Sequence, residues 1–334
     1  MHPAVDGSAR TADGGGVRRV LVAVPTYRRP EVVGRLLGEL PEQHRSLSGR
    51  DGRHPVEVDV LVIDNDPDGG ARDLVRAHPG VRYVHEPRPG LTAVRNRALD
   101  ESADADALVF IDDDETPAPG WLAGLVDTWL STGAAGVSGP VVSLLPDDLD
   151  PWIRAGGFFA RRYREGLATG APILEAATSN LLVDLAAVRE RGLRFDPQFG
   201  LSGGEDSLFT RRLADVRPLR WCAEAVVHDP VAPERLTRAW VCRRALSLAN
   251  SGARVELALR PSPTTRARLV AGGTVRLIGG GLTAALGRAS GSAERSARGA
   301  RTRWRGAGLL LGGLGLTYLE YGRGRRWRWE RPGR

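Results

Sequence analysis

The stretch ALVFIDDDETP, residues 107–117, decides the fold. Five apolar residues run directly into four carboxylates, Asp112, Asp113, Asp114 and Glu115, and then into Thr-Pro, which cannot continue a strand ladder. This is the pattern of a buried strand that opens into a charged loop. In an extended backbone a spacing of two places Asp112 and Asp114 on one side and Asp113 on the other. Carboxylates held that close repel one another unless a cation offsets them, so the pair is a candidate seat for Mg2+ or Mn2+. A bare DxD also occurs in solvated acidic loops, and its surroundings decide between the two.

Those surroundings are a series of strand ends. Upstream, VRRVLVAV at 17–24 reads as a first strand, stopped by Pro25-Thr26-Tyr27-Arg28-Arg29-Pro30. Apolar positions at Val32, Val33, Leu36, Leu37 and Leu40 then follow helical spacing, and residues 43–56 read as loop. VDVLVI at 58–63 delivers Asp64, Asn65 and Asp66, and a third strand at 81–84 precedes a helix carrying Arg95 and Asn96. Four strand–helix units in succession predict a doubly wound α/β half, with polar groups gathered at the carboxyl edge where such sheets bind anionic ligands. Downstream, residues 137–145 read as a strand disturbed by Gly139-Pro140, and 146–173 as a variable insertion. Glu205 and Asp206 open a further helix behind two glycines, where acids also suit the helix dipole. No GxGxxG or GxxxxGK[ST] follows an early strand, so neither a dinucleotide fingerprint nor a P-loop is present.

Composition narrows the classes. With 334 residues, the chain can bury a full α/β core with an appended segment. Two cysteines, Cys222 and Cys242, give no disulfide framework and no zinc motif, which favours a cytoplasmic setting. Residues 1–16 are polar and glycine-rich and predict a disordered tail without a signal peptide. The net charge of +7 is concentrated towards the C-terminus, where arginines are interleaved with two apolar segments, 269–287 and 306–319. That mixture predicts peripheral contact with an anionic membrane and argues against nucleic acid. The alternative for the pair is a helical hairpin docked on the catalytic domain or on a second subunit. The expected division is a tail (1–16), a catalytic domain (17–250) and a basic helical extension (251–334).

The ordered set LVAVPTYRRP (21–30), VLVIDN (60–65), EPRPGLTAVRNRAL (86–99), LVFIDDDE (108–115), TSNLLV (178–183), FDPQFG (195–200), GGED (203–206) and VVH (226–228) resembles the family 2 glycosyltransferases, over roughly residues 18–250. The resemblance implies a GT-A fold, a Rossmann-like mixed sheet flanked by helices. It implies a UDP-, GDP- or dTDP-sugar donor, Mn2+ or Mg2+, inversion at the anomeric carbon, and a carbohydrate, lipid-linked or small-molecule acceptor. Pro25, Thr26 and Arg28 look like the first nucleotide-contacting loop, Asp64 the carboxylate facing the base, and Arg95 a basic residue near the same nucleotide. Asp112 and Asp113 fall to the nucleotide side of the DxD motif and Asp114 to the metal, with His228 similar to a histidine that assists it. Asp206 looks like the catalytic base, with Glu205 as the competing choice. The chain departs from the family pattern at Asn65-Asp66-Pro67-Asp68-Gly69-Gly70, a stiffer and more negative loop than the usual glycine-serine turn. Competing readings are a nucleotidyltransferase acting on a sugar phosphate and a catalytically inactive carbohydrate-binding or scaffolding protein.

Overall fold

The computed structural model describes residues 17–48, 55–160, 164–320 and 329–330. The expected N-terminal tail and parts of the arginine-rich C-terminal end lie outside the described residues. The first half is β1 (Arg18–Thr26), α1 (Pro30–Ser48), β2 (Val56–Asp64), α2 (Arg72–Arg76), β3 (Val81–His85), α3 (Leu91–Glu101) and β4 (Ala107–Ile111). These four strands are parallel in the order β3-β2-β1-β4, so their carboxyl ends share one edge. Alternation along β1 feeds two cores. Val20, Val22 and Val24 pack with Leu36, Trp121 and Trp129 on one face, and Leu21 and Ala23 pack with Val94, Phe110 and Phe195 on the other.

The second half completes the sheet. It comprises β5 (Thr116–Pro117), α4 (Trp121–Thr132), β6 (Gly136–Ser138), β7 (Val141–Leu144), α5 (Pro151–Gly156), β8 (Pro172–Ile173), β9 (Asn180–Asp184), α6 (Leu185–Glu190), α7 (Glu205–Ala214), β10 (Leu219–Trp221) and β11 (Val227–Pro230). The main sheet has eight strands in the order β3-β2-β1-β4-β9-β6-β10-β8, with β9 antiparallel to β4, and β5-β11-β7 form a small second sheet beside it. The chain then forms α8 (Arg238–Leu259), α9 (Pro263–Ala289), α10 (Ala293–Gly313) and a short pair, β12 (Thr317–Tyr318) and β13 (Trp329–Glu330). Cys222 and Cys242 are both free and buried.

Three details differ from the sequence expectation. Helix α1 continues to Ser48 where a loop is expected, because the polar Gln43 is not solvated: it is buried and its amide donates to the Ala118 carbonyl at 3.0 Å. The expected strand 137–145 is split between two sheets, since Gly139 sits so close to the Ala225 carbonyl that a Cβ would collide with it. Finally, α8 spans Arg238–Leu259 and runs unbroken through residue 250, where the helix is expected to end.

The extension is built on glycine. Gly273, Gly280 and Gly287 of α9 face Gly299 and Gly306 of α10, and at each of these a Cβ would strike the backbone of the facing helix. Gly308 and Gly312 of α10 approach α8 just as closely. Glycines at intervals of seven thus bring helices of low intrinsic propensity into close contact. The result is a hairpin whose α10 arm docks on the catalytic domain, as in the alternative reading. Its α9 arm turns Val275, Ile278, Leu282 and Leu286 outwards, each more than half exposed.

Candidate active site

The carboxyl ends of β1, β2 and β4, the loop before α7, and helices α8 and α10 enclose a cleft of about 1610 Å³. Pro25 and Thr26 line it at the end of β1. Arg28 adopts a left-handed backbone (φ 55°), a strained state for a residue with a Cβ, and its Nε donates to Asp66 at 3.1 Å. Arg28 is therefore turned to the neighbouring loop and is not part of the cleft lining, whereas Arg29 is. Arg29 forks between two carboxylates, 2.6 Å from Asp113 and 2.5 Å from Asp114.

The acidic run is a turn, not a strand. β4 ends at Ile111, and the Glu115 amide donates to the Asp112 carbonyl at 3.2 Å. The two-residue alternation expected from an extended backbone is thereby lost, and Asp113 and Asp114 reach the same guanidinium. All four acids line the cleft. Asp113 is buried, accepts from the Thr26 hydroxyl at 2.6 Å, and burial pushes its carboxyl up to about 6 against the pull of Arg29. Burial also raises the Asp112 carboxyl, opposed by Arg95 and reinforced by Asp114.

Asp64 is fully buried and does not enter the cleft. It accepts from the amides of Asp66 and Ala71, each at 2.9 Å, and from the Tyr83 hydroxyl at 3.1 Å, so its carboxylate shapes the loop after β2. Its neighbour Asn65 lines the cleft instead. Arg95 and Glu205 form a buried ion pair in the cleft wall. Burial pushes the Glu205 carboxyl up and Arg95 draws it back down. Asp206, the next residue, is half-buried and lines the cleft, and its carboxylate accepts a local bond from the Ser207 amide at 2.7 Å. It is presented by Gly203 and Gly204, both left-handed (φ 75° and 94°), the second pressed against Ser251 and Val255 of α8.

His228 lies on β11 and does not line the cleft, whereas its neighbour Asp229 does. Adjacent strand residues face opposite ways. Arg29 and Asp229 were missed by sequence reasoning. Arg29 sits in the PTYRRP motif, but only the left-handed turn at Arg28 decides which arginine enters the cleft. Among the described residues no three His, Cys, Asp or Glu side chains stand together as a metal cage. A hard cation held partly by diphosphate oxygens does not require one, and the donor set suits it: Asp112 and Asp114 border the cleft with hard carboxylate oxygens, while the Asp113 Oδ1 is taken up by Arg29 at 2.6 Å.

Comparison with known proteins gives this geometry a lineage. The model of Glycosyl transferase family 2 matches residues 21–173. Succinoglycan biosynthesis protein ExoM of Rhizobium meliloti (strain 1021) is 35% identical over 229 residues, covering 67% of this chain and 70% of ExoM. The chain belongs to glycosyltransferase family 2. Glycosyltransferase AglE of Haloferax volcanii is 27% identical over 201 residues, covering 59% of this family 2 chain and 61% of AglE. The mannosyltransferase PcManGT of Pyrobaculum calidifontis shares the fold, with a TM-score of 0.54 and 20% identity over 87% of this chain and 86% of that one. The family 2 fold is thus the mixed α/β sheet described above, and the chain is a glycosyltransferase, which sets aside the nucleotidyltransferase and scaffold readings.

Proposed function

We propose that the chain is an inverting, metal-dependent transferase that moves a sugar from a nucleoside diphosphate sugar to an acceptor hydroxyl at a membrane surface. The observation that carries the reading is the unequal fate of two adjacent acids: Arg95 locks Glu205, and Asp206 opens α7 into the cleft that the acid turn also lines.

An alcohol holds its proton far above neutral pH, so a carboxylate within hydrogen-bond reach must take it as the oxygen attacks. Asp206 accepts that proton, the bond from acceptor oxygen to anomeric carbon forms, and the bond from that carbon to the diphosphate breaks. Attack opposite the leaving group inverts the centre. Pro25, Thr26 and Asn65 border the nucleotide end, and Arg29 and the acid turn border the diphosphate. Bound by Asp114 and Asp112, Mg2+ or Mn2+ would stabilise charge on the departing diphosphate. The Pyrobaculum mannosyltransferase was solved with GDP-Man and Mn2+, which puts both in the test panel here.

The membrane part of the proposal rests on α9, which among the described residues is the one helix long and apolar enough to cross a bilayer by length and composition (mean hydropathy 1.4). Its exposed apolar stripe lies opposite the glycines that face α10, and Arg276 beside the stripe is exposed. A helix with one side packed and the other apolar suits the membrane interface.

The experiment is release of nucleoside diphosphate from UDP-, GDP- and dTDP-sugars with a lipid extract as acceptor source, with Mn2+ or Mg2+ and with EDTA. One donor is expected to turn over only with metal, and Asp206→Asn and Asp114→Ala both to lose turnover while Asp206→Asn still binds donor. Turnover undiminished by EDTA sinks the metal assignment, and undiminished turnover in Asp206→Asn sinks the base.

A further inference from the structure

Arg29 supplies the acid turn with a cation. The left-handed turn at Arg28, whose own guanidinium goes to Asp66, sends the next side chain into the cleft. There Arg29 pairs with Asp113 at 2.6 Å and with Asp114 at 2.5 Å. The two carboxylates are held differently. Asp113 is 1% exposed at its side chain and also accepts from the Thr26 hydroxyl at 2.6 Å, so it is fixed from two sides. Asp114 is 25% exposed and Arg29 itself 41%, so this end of the bridge is open to the cleft and to water.

That bridge bears on the metal. Asp114 is one of the two carboxylates proposed to bind Mg2+ or Mn2+, and its Oδ2 already accepts from the Arg29 guanidinium. A guanidinium and a divalent cation on one carboxylate repel each other at close range. Either the metal stays off, or Arg29 leaves Asp114. A diphosphate gives Arg29 another partner, because the planar fork of arginine bonds two phosphate oxygens at once. Its departure frees Asp114 just as the diphosphate brings further hard oxygens for the cation.

We infer that Arg29 couples metal loading to donor binding: it competes with the divalent cation for Asp114 until a nucleoside diphosphate, with or without its sugar, draws it away. By linkage the diphosphate raises metal affinity by the same factor as the metal raises diphosphate affinity, and part of that factor belongs to Arg29. This rests on the transferase and metal readings of the cleft.

The test is titration of the full chain with Mn2+ alone, followed by the electron paramagnetic resonance signal of the free ion. Wild type is compared with Arg29→Ala, with Arg29→Gln, which keeps a neutral polar side chain if the alanine variant folds poorly, and with each of these combined with Asp114→Ala. Both Arg29 variants are expected to bind Mn2+ about tenfold tighter than wild type, and the gain is expected to vanish once Asp114→Ala is added. In EDTA the same two variants are expected to bind UDP, GDP or dTDP about fivefold or more weakly than wild type does. Mn2+ affinity that is unchanged or reduced in both Arg29 variants overturns the inference, and so does a gain that persists with Asp114→Ala. Wild type binding all three diphosphates in EDTA no tighter than the variants overturns it as well, since Arg29 would then not answer the donor. The metal reading is judged apart, by turnover in EDTA: metal-independent turnover sinks that reading, whereas metal-dependent turnover with unchanged Mn2+ affinity in the Arg29 variants sinks only the coupling.

Discussion

Arg95 and Glu205 are 7% and 3% exposed at their side chains, so neither charge has water to fall back on. Removing the cation leaves a buried carboxylate alone, a loss that costs about 3 to 5 kcal/mol in comparable sites. Arg95→Ala is therefore expected to lower stability by about 3 kcal/mol in urea denaturation, and adding Glu205→Gln is expected to restore much of it. Asp206→Asn acts on chemistry instead, with turnover reduced roughly 100-fold to 10,000-fold and donor affinity retained in a binding assay. Glu175 supplies a pH signature. Burial holds its carboxyl above the ordinary value of 4.5, opposed by Arg211 and reinforced by Asp206. Between the unfolded and folded values the native state keeps a proton that the unfolded state has lost. Its contribution to stability therefore falls as pH rises through that window, and the deficit is complete above the folded value. Glu175→Gln should thus gain stability over wild type as pH rises from 4 to 8, measured by thermal unfolding, and a constant difference across that range would refute the burial effect. At this scale the sequence identified Asp112 to Asp114, Arg95 and Asp206 as cleft residues. It could not separate Arg28 from Arg29 or His228 from Asp229, since each choice depends on one backbone dihedral or on strand facing.

The α9–α10 contact makes an element-level test possible with neighbouring glycines. Gly280 is buried against the backbone at Arg303, while Gly279 has open space around it. Gly280→Ala is expected to destabilise the hairpin by about 1 to 3 kcal/mol through overpacking, and Gly279→Ala to stabilise it by up to about 1 kcal/mol through helix propensity. Melting temperatures that move the same way for both would show that the helices do not meet where Gly280 lies. Helix α9 was legible as an apolar segment, and its partner as an arginine-rich one. The heptad of glycines that joins them carries no hydrophobic period, which is why the sequence offered their pairing only as the alternative reading. The split of 137–145 into β6 and β7 has a similar origin, because the obstacle at Gly139 is a carbonyl from Ala225, distant in sequence.

For the whole molecule, the outward stripe of α9 and the α10 arginines that line the cleft belong to one hairpin, so a membrane-bound α9 would hold that side of the cleft near the lipid. Flotation with phosphatidylglycerol vesicles is the measurement. The pair Ile278→Asp/Leu282→Asp is expected to abolish co-flotation, since each apolar side chain contributes about 1.5 to 3 kcal/mol when withdrawn from water. Full flotation of that variant would remove α9 from the membrane proposal. The amino-acid sequence by itself determined the four parallel strands, the acids and arginines at their carboxyl edge, and the family, because alternation, turn residues and motif order are local properties of the chain. Only the tertiary structure decided that Arg29 bridges Asp113 and Asp114, that Arg95 pairs with Glu205, and that α10 lends its arginines to the cleft. Those outcomes depend on which distant segments approach closely enough to share charge or exclude a Cβ, and that is a property of packing.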